Sequence, residues 1–146
     1  MNIQSILSTT TSRLTVVSSD RPFLEAAKHL SGGTIRMVVV CDENSRAIGV
    51  VTRTDAMRHL LVSTEPLGAV MSDVMSHPIL AIAASDDLFA TWQMMLERGR
   101  NHVPVLEPDG SPIGVLNSDD ALRVLLQSEQ YEERLLSDYV AGIGYQ

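Results

Sequence analysis

Apolar residues along this chain fall into two recurring patterns. Short continuous runs rich in β-branched residues read as buried strands, and longer runs with an apolar residue at every third or fourth position read as helices packed on one side. Leu14–Val17 is the first short run. Pro22, tolerated in the first turn of a helix, precedes a helical stripe of Phe23, Ala26, Ala27 and Leu30 that stops at Gly32-Gly33. Arg36–Cys41 then predicts a buried strand, Asp42–Arg46 a hairpin turn, Ala47–Val51 the returning strand, and a helix starts near Arg53. The same order returns downstream. It runs through a strand at Leu80–Ala83, a helix over Asp86–Arg98, a strand at Asn101–Leu106, a Pro108-Asp109-Gly110 turn, a strand at Pro112–Leu116 and a helix from Asp119 to about Gln127.

The return extends to individual residues. A shift of 65 positions, from Gly49 to Gly114, lays Ile48-Gly49-Val50 on Ile113-Gly114-Val115 and Asp55-Ala56 on Asp120-Ala121 without a gap. It also superposes Val38 on Val103, Val40 on Val105 and Arg58 on Arg123. Ahead of each copy is a similar lead-in, Ile3–Leu7 and Met71–Met75, related by a shift of 68 from Ile3 to Met71. The difference falls in the polar stretch Ser8–Thr11, which can absorb an insertion. The chain therefore divides into a first βαββα unit with its lead-in, residues 1–65, a second, residues 66–127, and a tail, residues 128–146. Neither unit can cover both faces of its sheet alone, so the fold expected is α/β, two pseudo-symmetric repeats packed face to face as one compact module. Such pairing leaves two related clefts between the repeats, where small-ligand sites preferentially form.

With Ser72-Asp73-Val74-Met75, Gly99-Arg100-Asn101-His102-Val103-Pro104-Val105, and the closing segments Gly49–Asp55 and Gly114–Asp120 in order and twice over, the chain resembles the CBS domain family, whose tandem pairs are called Bateman modules. The resemblance covers nearly everything to about Gln127. It implies a regulatory module that binds an adenine-containing ligand such as AMP, ADP, ATP or S-adenosylmethionine, without a further cofactor. By the family pattern Asp55 takes the ribose hydroxyls, with Thr52 near ribose or phosphate; Asp120 matches in the second repeat, where Asn117 replaces the hydroxyl residue. The polar positions facing the phosphates correspond to Asn101 and His102 in one repeat and Arg36 and Met37 in the other, and adenine would stack near Val17 and Ile82. Two modules of this family commonly associate, and apolar residues at Met57, Leu60, Leu61, Leu122 and Leu125 favour a homodimer.

Residue chemistry supports the same positions. A carboxylate can accept both hydrogens of a cis-diol, and the free N–H groups of the helix beginning after Thr52 suit a phosphate, with Arg53 beside them. Thr52–Asp55 also fits a capping box, and Asn117 is a good N-cap; capping alone accounts for these residues, and both roles can coexist at Thr52. The tail places Tyr131, Leu135, Tyr139 and Val140 on one side and acids on the other, either an extra packed helix or a partner-binding segment.

The formal charge of −7 argues against a nucleic-acid binder. The lone Cys41 excludes a disulfide framework, and the four histidines have no metal-ligand spacing. Apolar runs are too short to span a membrane, so the expectation is a cytoplasmic protein. No nucleophile with a base, paired acid and base, or phosphate loop is present, and the reading is not an enzyme. The alternative is a ligand-free oligomerisation or protein-interaction module, which the departures at Asn117 and at Val39, where the family usually has Pro, would suit.

Overall fold

A computed structural model describes residues 1–128, 136–138 and 141. The tail residues Tyr131, Leu135, Tyr139 and Val140 lie outside the described residues.

A 3-10 turn at Ile3–Ile6 runs into α1 (Leu7–Ser12), followed by β1 (Val16–Ser18), α2 (Phe23–Ser31), β2 (Met37–Cys41), β3 (Ala47–Thr52) and α3 (Arg53–Val62). A second 3-10 turn, Pro66–Gly68, leads to α4 (Met71–Val74), β4 (Ile82–Ala83), α5 (Leu88–Glu97), β5 (His102–Leu106), β6 (Pro112–Asn117) and α6 (Ser118–Leu126). Each repeat forms a three-stranded sheet, β1-β2-β3 and β4-β5-β6, with the first pair parallel and the second antiparallel. Both antiparallel pairs slip register at equivalent points, Val40/Cys41 and Val105/Leu106. The repeat read from residue identity is thus also a repeat of backbone detail.

Every residue of β2 is buried, as expected of a strand covered on both faces. Val38 and Val40 join Phe23, Ala26 and Leu30 beneath the helices of the first repeat. On the opposite face Met37, Val39 and Cys41 meet Val50 and Val115, with Leu14 and Ile79 packed alongside, so this third cluster seals one repeat against the other. The second repeat has its own core around Leu88, Met95, Val103, Val105 and Leu116, against which Trp92 and Met94 pack. Leu125 belongs to this core at 2% exposure and is not the surface residue expected, because α6 turns it inward.

The lead-ins are exchanged between repeats. Ile3 and Ile6 complete the core of the second repeat, and the backbone N–H groups of Ile3 and Gln4 bond to Asp86 and Ala84. Met71 completes the first core, and Val50 pairs through both backbone groups with Ser76. Gly114 and Gly49 allow these crossings. A Cβ on Gly114 would come within 2.8 Å of the Thr10 carbonyl carbon, and one on Gly49 within 2.7 Å of Met75 Cγ. Thr10 and Met75 are therefore equivalent at the shift of 65 while Ile3 and Met71 are equivalent at 68, and the extra residues have become helix α1.

Local differences from the expected boundaries have visible causes. Helix α5 starts at Leu88 because the Asp87 carboxylate accepts the Ala90 N–H as N-cap, while Asp86 accepts from Ala83 instead. Strand β4 begins only at Ile82, where pairing with Val105 of β5 starts, and the chain ahead of it from Ser76 to Leu80 lines a cavity.

Candidate functional site

The closing segments bring helix N-termini to the groove between the repeats. Thr52 caps α3 in a full capping box: its hydroxyl accepts the Asp55 N–H, and Asp55 Oδ2 accepts the Thr52 N–H at 2.9 Å. The Thr52 hydroxyl is also 3.0 Å from Asp55 Oδ2, and Ser76 donates to Oδ1 at 2.6 Å. Asn117 caps α6, accepting the Asp120 N–H at 3.0 Å, so replacing a hydroxyl residue by Asn preserves the cap. Both acids are buried.

Their partners differ. Asp55 is held by neutral donors, with Arg58 3.6 Å away at the rim. Asp120 is gripped by Arg13, whose Nε bonds Oδ2 and whose Nη2 bonds Oδ1 at 3.0 Å; Arg123 stands 3.7 Å off. The hydrogen bond to Asp120 raises the Arg13 pKa above its ordinary value.

Two adjoining cavities open along this groove. One, about 340 Å³, is lined by Arg13, Arg36, Arg123, Asn117 and Asp120 among others. Its neighbour, about 330 Å³, is lined by Thr52, Arg53, Thr54 and Arg100, and the two share Arg36, Asn101 and His102. Five arginines therefore converge where the repeats meet, against Asp119 and Asp120, although the chain as a whole carries −7. A third cavity of about 190 Å³ lies next to the Asp55 end, between Met37, Val50, Ser76, Pro78, Ile79 and Leu80, and also touches Arg100 and His102.

His102 joins all three cavities. The Asn117 side-chain amide donates to His102 Nε2 at 3.0 Å, which requires that nitrogen to be an acceptor and the ring neutral. Burial, then Arg13 and Arg36, holds the His102 pKa below its ordinary value, in agreement with that bonding.

Arg36, Thr52, Arg53, Asn101, His102, Asn117 and Asp120 thus gather on two contiguous cavities. Asp55 lies behind Ser76 and Thr52, and Arg53 Nε is tethered to the Leu30 carbonyl at 3.1 Å. Val17 and Ile82 face the helices instead, each buried in the core of its own repeat. The apolar wall comes from Ile79 and Leu80, before β4, and from Met37 and Val50. Sequence reasoning missed this wall, Ser76, Arg100 and Arg13. Ser76 and Ile79 had a usable signal, since they follow the second lead-in directly, but Arg13 had none because its partner is 107 residues away.

The family model for the CBS domain matches residues 3–62 and 71–127. An uncharacterized 17.7 kDa protein of Acidianus ambivalens is 22% identical over 134 residues, covering 92% of this chain and 80% of that one. Among solved structures, CBSX2 in complex with AMP is 26% identical, with a TM-score of 0.71 over 86% of this chain and 96% of that one. The CBS domain pair of the protein MJ0100, in complex with 5′-methylthioadenosine and S-adenosyl-L-methionine, is 18% identical, with a TM-score of 0.71 over 85% and 94%.

Proposed function

We propose, from the premise that the chain belongs to the CBS domain family, that it is a non-catalytic regulatory module that binds an adenine nucleotide or adenosyl compound between its repeats. The observation that carries this reading is the convergence of Arg13, Arg36, Arg53, Arg100 and Arg123 on the inter-repeat groove of an acidic chain. Guanidinium groups and two helix N-termini form a setting for phosphate or another anion. The small apolar cavity at Ile79 and Leu80 shares Arg100 and His102 with the larger one, and Ser76 on its wall donates to Asp55; in this reading the base enters that cavity and the ribose displaces Ser76 from Asp55. A cis-diol can replace the Ser76 and Thr52 hydroxyls on Asp55, exchanging neutral donors for neutral donors. The AMP held by CBSX2 and the adenosyl compounds held by MJ0100 support this ligand class.

Ligand binding that favours one packing of the repeats would change the affinity of whatever partner prefers it, which is the proposed route of signalling. The proposed assembly is a homodimer, and the proposed setting is the cytoplasm, which suits a buried free thiol at Cys41. Thermal shift with AMP, ADP, ATP and S-adenosylmethionine tests the reading. At least one compound is expected to raise the melting temperature in a saturable way, and no shift with any of them would sink it.

One observation favours a second reading, an association module without a ligand. Asp55 and Asp120 already have internal hydrogen-bond partners, and among the described residues no buried side-chain nitrogen or oxygen lacks one. That reading predicts no thermal shift and an unchanged oligomeric state with added nucleotide.

A further inference from the structure

The two ribose-type acids are equivalent in sequence and unlike in surroundings. At Asp55, neutral N–H and O–H donors occupy the carboxylate, and the hydroxyls of Thr52 and Ser76 can rotate away. At Asp120, Arg13 occupies both oxygens in a fork, and the acid side chain is only 5% exposed. A charge-assisted hydrogen bond is roughly twice as strong as a neutral one, and the fork supplies two of them. Opening the first carboxylate to a sugar exchanges like for like, whereas opening the second strips an ion pair from a mostly buried acid.

The difference arises from one local change in the chain. Arg13 is the C-cap of α1, the helix built from the extra residues of the first lead-in. At the shift of 65 its counterpart is Pro78, which lines the Asp55-side cavity and has no donor to offer a carboxylate. The extra turn and the plug thus come together.

We infer that Arg13 is a built-in occupant of the Asp120 cleft, so that the chain takes one adenosyl ligand, at the Asp55 cleft, and Arg13 sets that stoichiometry. This rests on the ligand-binding reading above.

Calorimetric titration of the whole protein with AMP, ATP and S-adenosylmethionine in separate runs tests this. The unsubstituted chain is expected to bind one equivalent of its preferred compound. Arg13→Gln is expected to bind a second equivalent, doubling the stoichiometry. The stoichiometry of the unsubstituted chain keeps the inference open to refutation even where Arg13→Gln fails to fold. Two equivalents on the unsubstituted chain, or one on a folded Arg13→Gln variant, would overturn the plug and leave the ligand-binding reading standing. No binding of any compound to either protein would overturn both.

Discussion

His102 sits at the junction of all three cavities as a neutral acceptor, and its state should make the stability of the protein depend on pH. Burial and the nearby arginines lower its folded pKa, while the unfolded chain titrates near the ordinary value of about 6.5. The unfolded state therefore binds more protons below that pH. The stability this residue contributes is fully present above about pH 6.5 and is lost as pH falls toward the folded value. Melting curves between about pH 5 and 8 should steepen on the acid side, and His102→Gln should flatten them; an identical slope in the variant would remove His102 as the cause. Asp55 joins two roles in one side chain, since its carboxylate completes the α3 capping box and is the proposed ribose acceptor. Asp55→Ala should lose about 1 kcal/mol of stability as a cap and, separately, about ten- to hundredfold in adenosyl affinity. Melting temperature and titration on one sample separate the two, and an unaltered dissociation constant would take Asp55 out of the site.

Elements cross between the repeats at two glycines that look alike in sequence and differ in what they touch. A Cβ on Gly114 meets the Thr10 backbone at 2.8 Å, whereas one on Gly49 meets the flexible Met75 side chain. Gly114→Ala should therefore cost more than Gly49→Ala, by about 1 to 3 kcal/mol, as for overpacking at a site that cannot relax. Chemical denaturation of the two variants checks this, and equal losses would contradict it. The strands, the helices and their order were legible because apolar spacing and turn residues report local structure, and the shift of 65 reported the repeat. The caps at Thr52 and Asn117 were legible for the same local reason. The exchange of lead-ins was not, since self-similarity says which segments are alike and not which sheet each one joins. Val17 and Ile82 were assigned to the base by their strands, but strand alternation alone does not say which face meets helices and which meets the other repeat. Arg13 depends on a long-range meeting that residue type does not announce.

At the scale of the whole molecule, helix α3 leaves Met57, Leu61 and Val62 at 63%, 82% and 78% exposure, with Leu60 beside them. Met57, Leu60 and Leu61 follow helical spacing and form one apolar face. A contiguous apolar face of this kind suits association with a second copy. Light scattering at tens of micromolar should give a dimer mass, and Leu61→Glu should shift it to monomer; a monomeric unsubstituted chain would contradict the proposed assembly. The proposed ligand site lies at the opposite end of α3 from Leu61 and Val62, where α3 and α6 begin at the arginine-lined groove. The measurement that bears most directly on the account is amide NMR mapping of isotope-labelled protein titrated with AMP, ATP and S-adenosylmethionine. The account predicts saturable shifts that cluster at Arg36, Thr54, Asn101, His102 and the Ser76–Leu80 segment. Spectra unchanged at saturating concentrations of all three, or shifts confined to the exposed face of α3, would contradict it.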